Sequence, residues 1–184
     1  MKKLFSILAI ACMAISVFTS CGKKDDPVNP EKPDKTPAFV GIMFKAIFDE
    51  QTMEQCDISF DYYDENGQIK NEVVTETVYQ KRIKSEGLPA TLGFRWNVAP
   101  KKDLDTTKYE HFKVTYQFEY NSAAYNAEGT SVTTPVGASF GNTVGMAMKK
   151  RDAVIEILGG GHKVLNFLHI YDANANVTED TWKE

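Results

Sequence analysis

The chain has 184 residues, of which 42% are hydrophobic and 25% charged, and its formal net charge is −4. Affinity for nucleic acid comes mainly from Lys and Arg neutralising phosphates, so a mildly acidic chain of this kind is a poor polyanion binder. We therefore predict no nucleic-acid partner.

The first residues have the order of a secretory signal peptide. Lys2 and Lys3 precede an apolar run over residues 4–18, and two small polar residues stand immediately before Cys21. A positive start, an apolar centre and a small-residue end are typical of a cleaved export signal. The apolar run is also shorter than the roughly 20 residues that a spanning helix needs. We predict that residues 1–20 are removed.

The four residues Phe18-Thr19-Ser20-Cys21 resemble the lipobox of lipoproteins of the Bacteroidetes type, with Phe18 in place of the usual Leu, Ile or Val. The resemblance implies that the Cys21 thiol receives a diacylglycerol and its freed amine a third acyl chain. One chain anchors only marginally, at about 0.8 kcal/mol per buried methylene, so two or three chains hold a protein to a membrane. The alternative is an ordinary cysteine after an ordinary signal.

The segment Gly22-Lys23-Lys24-Asp25-Asp26 resembles the Lys-then-acidic export signal of the same lipoproteins. This resemblance implies an outer-membrane protein that faces the cell exterior, while a merely solvated linker is the alternative. The rest of the segment up to residue 38 is rich in proline and poor in apolar residues, which indicates a tether. We predict a lipid-anchored tether over residues 21–38 and a single β-sandwich domain over residues 39–184.

Cysteine usage requires the domain to be stabilised by its core. Cys12 leaves with the signal and Cys21 is acylated, so Cys56 alone remains and no internal disulfide can form. A domain of this length can bury a sufficient apolar core without disulfides. We expect Cys56 to be a small buried hydrophobic residue, with a reactive or intermolecular thiol as the alternative.

Alternation of apolar and polar residues predicts strands of antiparallel sheets that each have one solvated face. The predicted strands are near residues 40–48, 58–62, 73–83, 92–98, 112–120, 154–158 and 164–171. The last has apolar residues on both faces and is predicted to be central. A hairpin with a type I′ turn is expected at residues 64–67, and three glycines at residues 159–161 are expected to separate the last two strands.

Three further features are weaker. Residues 130–150 are difficult to interpret, although Met146 and Met148 fit an edge strand, and a short helix is an option within residues 101–110. Tyr109 is a candidate for a tyrosine corner. About eight or nine strands in one domain predict an all-β, antiparallel two-sheet sandwich with immunoglobulin-like or related topology.

No catalytic or metal-binding motif is present in the sequence. Serine hydrolase and phosphate-loop patterns are missing, and His111, His162 and His169 have no metal-ligand spacing. We predict no catalytic residue, no metal and no cofactor. Four acids lack the spacing of a calcium loop, and we interpret them as solvated strand and turn positions, with the carboxylate pair of a glycosidase as the alternative: Asp57, Asp61, Asp64 and Glu65.

Two aromatic residues are candidates for ligand contact. Tyr63 falls on the face opposite the apolar residues of its strand, and Trp182 lies in a polar C-terminal tail, so both are candidates for exposure. An exposed aromatic ring can stack on a sugar or anchor a protein partner. Packing of Trp182 over the end of the sandwich is the favoured alternative. Thr106, in Asp105-Thr106-Thr107, resembles the acceptor of Bacteroidetes O-glycosylation.

These observations favour a non-catalytic cell-surface lipoprotein whose sandwich binds a glycan or a protein ligand. A second hypothesis is a structural or accessory subunit of an outer-membrane or pilus-like assembly, which docks by β-strand addition through an edge within residues 130–148. A surface hydrolase is the third. In every case the predicted membrane contact is through lipid on Cys21.

Overall fold

The structure is a computed structural model that describes residues 34–159 and 166–182. The described residues do not include the predicted signal peptide and lipobox with Cys21, most of the predicted tether, or His162. The described part is a two-sheet antiparallel β-sandwich, as the sequence predicted, with these nine strands: β1 (Phe39–Phe48), β2 (Cys56–Tyr63), β3 (Ile69–Val73), β4 (Val78–Lys84), β5 (Ala90–Pro100), β6 (His111–Tyr125), β7 (Val136–Ala147), β8 (Asn166–Tyr171) and β9 (Val177–Asp180).

One sheet has four strands in the order β4-β1-β6-β7, and the other has five in the order β3-β2-β5-β8-β9. The hairpins β2-β3, β6-β7 and β8-β9 join neighbours along the chain, whereas β1 pairs on both sides with strands that follow it much later. The expectation that residues 164–171 form a central strand is confirmed for β8, which lies between β5 and β9. The edge strand expected near Met146 is β7, which ends before Met148.

Within the described residues, two α-helices and one turn of 3-10 helix (Met148–Lys150) interrupt the strand pattern, and the sequence interpretation missed all three. Helix α1 (Glu50–Gln55) begins at Asp49, whose carboxylate accepts the Thr52 N–H at 2.8 Å and so caps the first turn. Helix α2 (Arg151–Gly159) replaces the strand predicted at residues 154–158, because Val154 and Leu158 are four residues apart and are buried on one helical face. No helix forms within residues 101–110, where the chain makes turns instead.

Two local predictions were also wrong in detail. The hairpin at residues 64–67 exists, but only Gly67 has positive φ, at 72°, so the turn is not type I′. The Gly67 N–H donates to the Asp64 carbonyl at 3.0 Å, and the Asp64 N–H to the Gln68 carbonyl at 2.8 Å, the pattern of a turn closed by a bulge at glycine. Tyr109 is not a tyrosine corner, since its hydroxyl donates to the Glu54 carboxylate instead of the backbone.

Aromatic rings from both sheets fill the space between them. The Phe44 ring of β1 stacks on Phe94 of β5 with ring centroids 4.1 Å apart, and meets Phe60 of β2 edge-on at 4.9 Å. The ring centroid of Trp96 lies 5.3 Å from the ring centroids of Tyr116 and Phe118 in β6. Such pairs add stability beyond the burial of their area, which allows the fold to persist without a disulfide.

Cys56 is buried and only 2% exposed, as expected for a small core residue. Burial raises the pKa of its thiol to about 12, so the reactive thiolate is disfavoured at neutral pH. No helix among residues 34–159 and 166–182 has the length and apolar character needed to cross a membrane.

One polar cluster lies inside the sandwich. The Ser122 hydroxyl is 2.5 Å from His169 Nδ1 and 2.7 Å from the Tyr171 hydroxyl, and all three side chains are almost fully buried. Burial lowers the pKa of His169, against a smaller opposing effect of Glu179, so the imidazole is held neutral in the folded state. This Ser–His pair has no access to solvent and is a core hydrogen-bond network.

We expect the neutral imidazole of His169 to make folding sensitive to mild acid. Below the unfolded-state pKa of about 6.5 the unfolded chain binds a proton that the folded chain does not, so the free energy of unfolding should fall with decreasing pH. The slope from this residue is limited to about 1.4 kcal/mol per pH unit. The measurement is urea unfolding between pH 7.5 and 5. The free energy of unfolding should depend less on pH in His169→Gln than in the wild type. The control is His111→Gln, which changes an exposed histidine and should leave this pH dependence as in the wild type.

Candidate functional site

A buried carboxylate organises the outer face of the five-stranded sheet. Asp61 of β2 lies between its register partners Arg95 of β5 and Asn71 of β3. Its carboxylate accepts from Arg95 Nε at 3.0 Å and Nη2 at 2.8 Å, from Asn97 at 2.9 Å and from Asn71 at 2.7 Å. Four donor groups from the two neighbouring strands therefore meet one carboxylate. The expectation that Asp61 is a solvated strand residue was wrong, since it is only 8% exposed.

The charge on Asp61 is maintained by these donors. Burial opposes the charged form, but the hydrogen bonds from Asn97, Asn71 and Arg95 outweigh it and hold the pKa of the carboxyl below its ordinary value. The guanidinium of Arg95 is thereby fixed by two hydrogen bonds that converge on one carboxylate oxygen. The sequence interpretation missed Arg95, Asn71 and Asn97, although Arg95 and Asn97 lie at outward positions that alternate with Phe94 and Trp96.

Arg95 contacts Trp182, which in turn contacts Tyr63, so the structure brings the two predicted ligand-contact residues together. Its guanidinium carbon is 5.1 Å from the centroid of the Trp182 ring, within the range of a cation–π contact. Trp182 in turn stacks on Tyr63 with centroids 4.8 Å apart and an interplanar angle of 29°. The Trp182 indole N–H donates to the Phe167 carbonyl at 3.2 Å. Trp182 is thus fixed from two sides.

The two aromatic residues differ in exposure. Trp182 is only 8% exposed, so the favoured interpretation, that this residue packs on the sandwich, is confirmed, and its candidacy as an exposed ring is wrong. Tyr63 is half-buried. A ligand can therefore reach the Tyr63 ring, while Trp182 stacks against that ring and holds it in place.

Tyr63 also lines a cleft at one end of the sandwich with a volume of about 440 Å³. One wall is the β2-β3 hairpin turn at residues 64–67, and the other is the loop at residues 85–91, which contains a cis peptide bond before Pro89. Ile170 and Tyr171 of β8 contribute to the lining. The cleft thus combines an aromatic ring, aliphatic surface and the polar groups of two loops.

Hydrogen bonds hold both walls in place. The Asp64 carboxylate accepts the N–H groups of Asn66 at 3.0 Å and Gln68 at 2.8 Å, which fixes the hairpin turn. These two bonds, with Lys70 nearby, lower the pKa of Asp64 despite some desolvation. Asp64 is therefore committed to the turn. Asp57 and Glu65 are exposed as predicted, whereas Asp64 is not.

The second wall is attached to the first. The Glu86 N–H donates to the Glu65 carbonyl at 3.2 Å, so a backbone hydrogen bond connects the two walls of the cleft. The buried Ser85 hydroxyl accepts the Val40 N–H at 3.0 Å and donates to the Gly87 carbonyl at 2.8 Å. The Glu65 and Glu86 side chains remain exposed at this end of the sandwich. They can offer acceptor oxygens to a ligand.

The other candidate residues lie elsewhere. Thr106 is exposed in the turn between β5 and β6, where the Asp105 carboxylate accepts the Thr107 N–H at 2.9 Å and its hydroxyl at 2.6 Å. Its O-glycosylation stays a prediction, as does lipidation of Cys21. Within the described residues, no group of three or more His, Cys, Asp and Glu side chains is arranged to hold a metal ion.

Comparison with known proteins gave no relative: no protein-family model, no curated protein and no solved structure matches the chain.

Replacing Asp61 should destabilise the fold. Asp61→Ala removes the shared acceptor of three side chains, and we expect a loss of about 1–3 kcal/mol in the free energy of unfolding at pH 7. Because the folded-state pKa of Asp61 is lowered, its contribution is present above the ordinary pKa of about 3.9 and is lost as pH falls through the folded-state pKa. Denaturant unfolding of both proteins at pH 7 and in acid measures this.

Asp57→Ala is the matched control, because Asp57 lies on the same strand and face but is exposed. A surface change of this type usually alters stability by less than about 0.5 kcal/mol. Equal losses of unfolding free energy in the two variants would show that the four hydrogen bonds to Asp61 do not stabilise the fold.

Proposed function

We propose that this protein is a non-catalytic outer-membrane lipoprotein, anchored by lipid on Cys21, whose sandwich binds a glycan in the cleft beside Tyr63. The observation that carries the proposal is the Tyr63–Trp182 stack, which presents one half-buried ring at the wall of a cleft of about 440 Å³. Pockets of a few hundred cubic ångströms that combine apolar surface with a few fixed polar groups are typical ligand sites.

The chemistry of the cleft favours a neutral or basic sugar. The face of an aromatic ring packs against the C–H face of a pyranose, while carboxylates and amides accept or donate to its hydroxyls. Tyr63 offers the ring, and Glu65, Asn66 and Glu86 offer polar groups from the two walls. The acids would repel an anionic ligand, which agrees with the net negative charge of the chain.

The fixed geometry of Tyr63 supports binding with little reorganisation. Asp61 orients Arg95, Arg95 lies over Trp182, and Trp182 stacks on Tyr63. A ring held in this way loses less side-chain freedom when a ligand binds, which leaves more of the contact energy as affinity. This arrangement therefore fits a site prepared before the ligand arrives.

Binding fits the cleft better than hydrolysis does. A glycosidase needs one carboxyl group with a raised pKa to act as general acid. Asp64 has a lowered pKa and spends its carboxylate on two backbone N–H groups of the turn. We therefore propose a ligand that is held and not cleaved.

Glycan binding should depend on Tyr63. The full chain, screened on an array of neutral and amino glycans, should bind at least one saturably, and calorimetry should then show Tyr63→Ala at least about tenfold weaker, a loss of about 1.4 kcal/mol. Tyr63→Phe should retain most of the affinity because the ring face remains. Tyr109→Ala, a half-buried tyrosine away from the cleft, should bind as wild type. Binding to an envelope protein instead of any glycan would contradict this proposal.

Lipidation should depend on Cys21 alone. Cells supplied with an alkyne fatty acid should label the wild-type protein, lose the label in Cys21→Ser and keep it in Cys56→Ser, because Cys56 is buried. Protease added to intact cells should digest the labelled protein if the domain faces the exterior. Labelled protein that resists protease until the outer membrane is opened would place it on the periplasmic side.

A further inference from the structure

Among the described residues, one of the four edge strands lacks the features that normally prevent edge-to-edge pairing. Natural edges are short, charged or interrupted by proline. Strands β3 and β9 have five and four residues. Charged side chains occur on the three other edges, β3, β4 and β9: Lys70, Glu72, Lys81, Arg82, Lys84, Glu179 and Asp180. Strand β7 has 12 residues, VGASFGNTVGMA, with no charge and no proline.

The direction of the β7 backbone follows from the hydrogen bonds of its neighbour. The Thr115 N–H of β6 donates to the Thr52 hydroxyl of α1 at 2.8 Å and so points away from β7. Thr115 and its partner Thr143 are therefore a non-hydrogen-bonded pair, and the Thr143 N–H, which donates to the Asn142 side chain at 2.8 Å, points to the open edge. By alternation, the residues with edge-directed N–H and C=O groups are Gly137, Ser139, Gly141, Thr143, Gly145 and Ala147.

We propose that β7 pairs antiparallel with β7 of a second copy of this chain, about a two-fold axis at Gly141. The two four-stranded sheets would then form one continuous eight-stranded sheet. Gly141 would face its own equivalent, and Ser139 would face the partner's Thr143. Because each edge-directed pair exchanges two bonds, residues 137–145 would form about ten intermolecular hydrogen bonds.

The charge pattern is the reason to choose a second copy as occupant. Antiparallel self-pairing of β4 would bring basic side chains together and that of β9 acidic ones, both of which are destabilising. Self-pairing of β7 brings no charges together, and Gly141 lies near its middle, so both halves of the strand find equivalent partners. A symmetric interface of this kind closes on itself and stops at a dimer.

The inward face of β7 would gain from the same contact. Phe140, Val144 and Met146 pack against the core but are only partly buried at this edge. In the proposed register, Val136 lies beside the partner's Met146 and Ala138 beside the partner's Val144. Apolar side chains thus meet at the outer pairs of this face, Phe140 lies beside the partner's Asn142 next to the axis, and small residues meet on the other face. This inference is independent of the glycan site, whose lining contains no residue of β7.

The test is a charge exchange at two edge positions. In the full chain carrying Cys21→Ser, which cannot receive the predicted lipid, sedimentation over a concentration series should show a monomer–dimer equilibrium. Ser139→Lys with Thr143→Lys places lysines opposite each other and should weaken dimerisation at least about tenfold, as should Ser139→Glu with Thr143→Glu. An equimolar mixture of the two variants pairs Lys with Glu and should restore the dimer.

Controls separate pairing from misfolding. Gln80→Lys adds a charge to the exposed β4 edge and should leave the dimer unchanged. Each double variant should keep the wild-type circular dichroism spectrum, and recovery on mixing excludes misfolding in any case. A wild-type chain that is monomeric at every concentration, a dimer that survives both double variants, or a photocrosslink from position 143 to a different protein in cells would each overturn the proposal.

Discussion

The contact between Phe44 and Phe94, across the middle of the sandwich, fixes how the two sheets face each other. Their rings are 4.1 Å apart and belong to internal strands of opposite sheets. Once these rings and their neighbours point inward, strict alternation along each strand decides what points outward. Asp61 stands between Phe60 and Tyr62, and Arg95 between Phe94 and Trp96, so both must lie on the outer face of the five-stranded sheet. The polar network is therefore a consequence of the core register.

This dependence links stability to the proposed ligand site. A shift of β2 by one residue would turn the charged Asp61 carboxylate into the apolar core and the buried Phe60 ring out of it, and both changes are unfavourable. The Asp61–Arg95 pair then holds Trp182, and Trp182 holds Tyr63 at the cleft. Residues remote from the cleft therefore decide how the exposed ring is presented.

Most of the fold was predictable because its strands have a clear two-residue period. The inward positions of β1, β2, β5 and β6 were identified from alternation alone. The helix at residues 151–159 was not identified, because a short apolar run with Val, Ile and Leu fits a strand or a helix equally well. In the structure, Val154 and Leu158 lie on one buried face of this helix. Helix α1 is polar and only six residues long, so its signal is confined to the Asp49 cap.

The site was only partly predictable, for a different reason. Tyr63 and Trp182 could be singled out as aromatics in polar surroundings, but their contact joins residues far apart in sequence and depends on the pairing of β2, β5 and β8. The same holds for Asp61, whose donors come from β3 and β5. Strand order is not written in a periodic pattern, so the assembly of the site could be known only from the structure.

The position of β1 has a mechanical consequence if the chain is anchored at its N-terminus. This first strand lies inside its sheet, with seven residue pairs to β4 and ten to β6. A pull on the anchor would act along β1, and its hydrogen bonds to both neighbours would have to slide together instead of opening one at a time. A domain held this way would resist a pull from the anchor, because detaching the first strand means shearing two ladders at once.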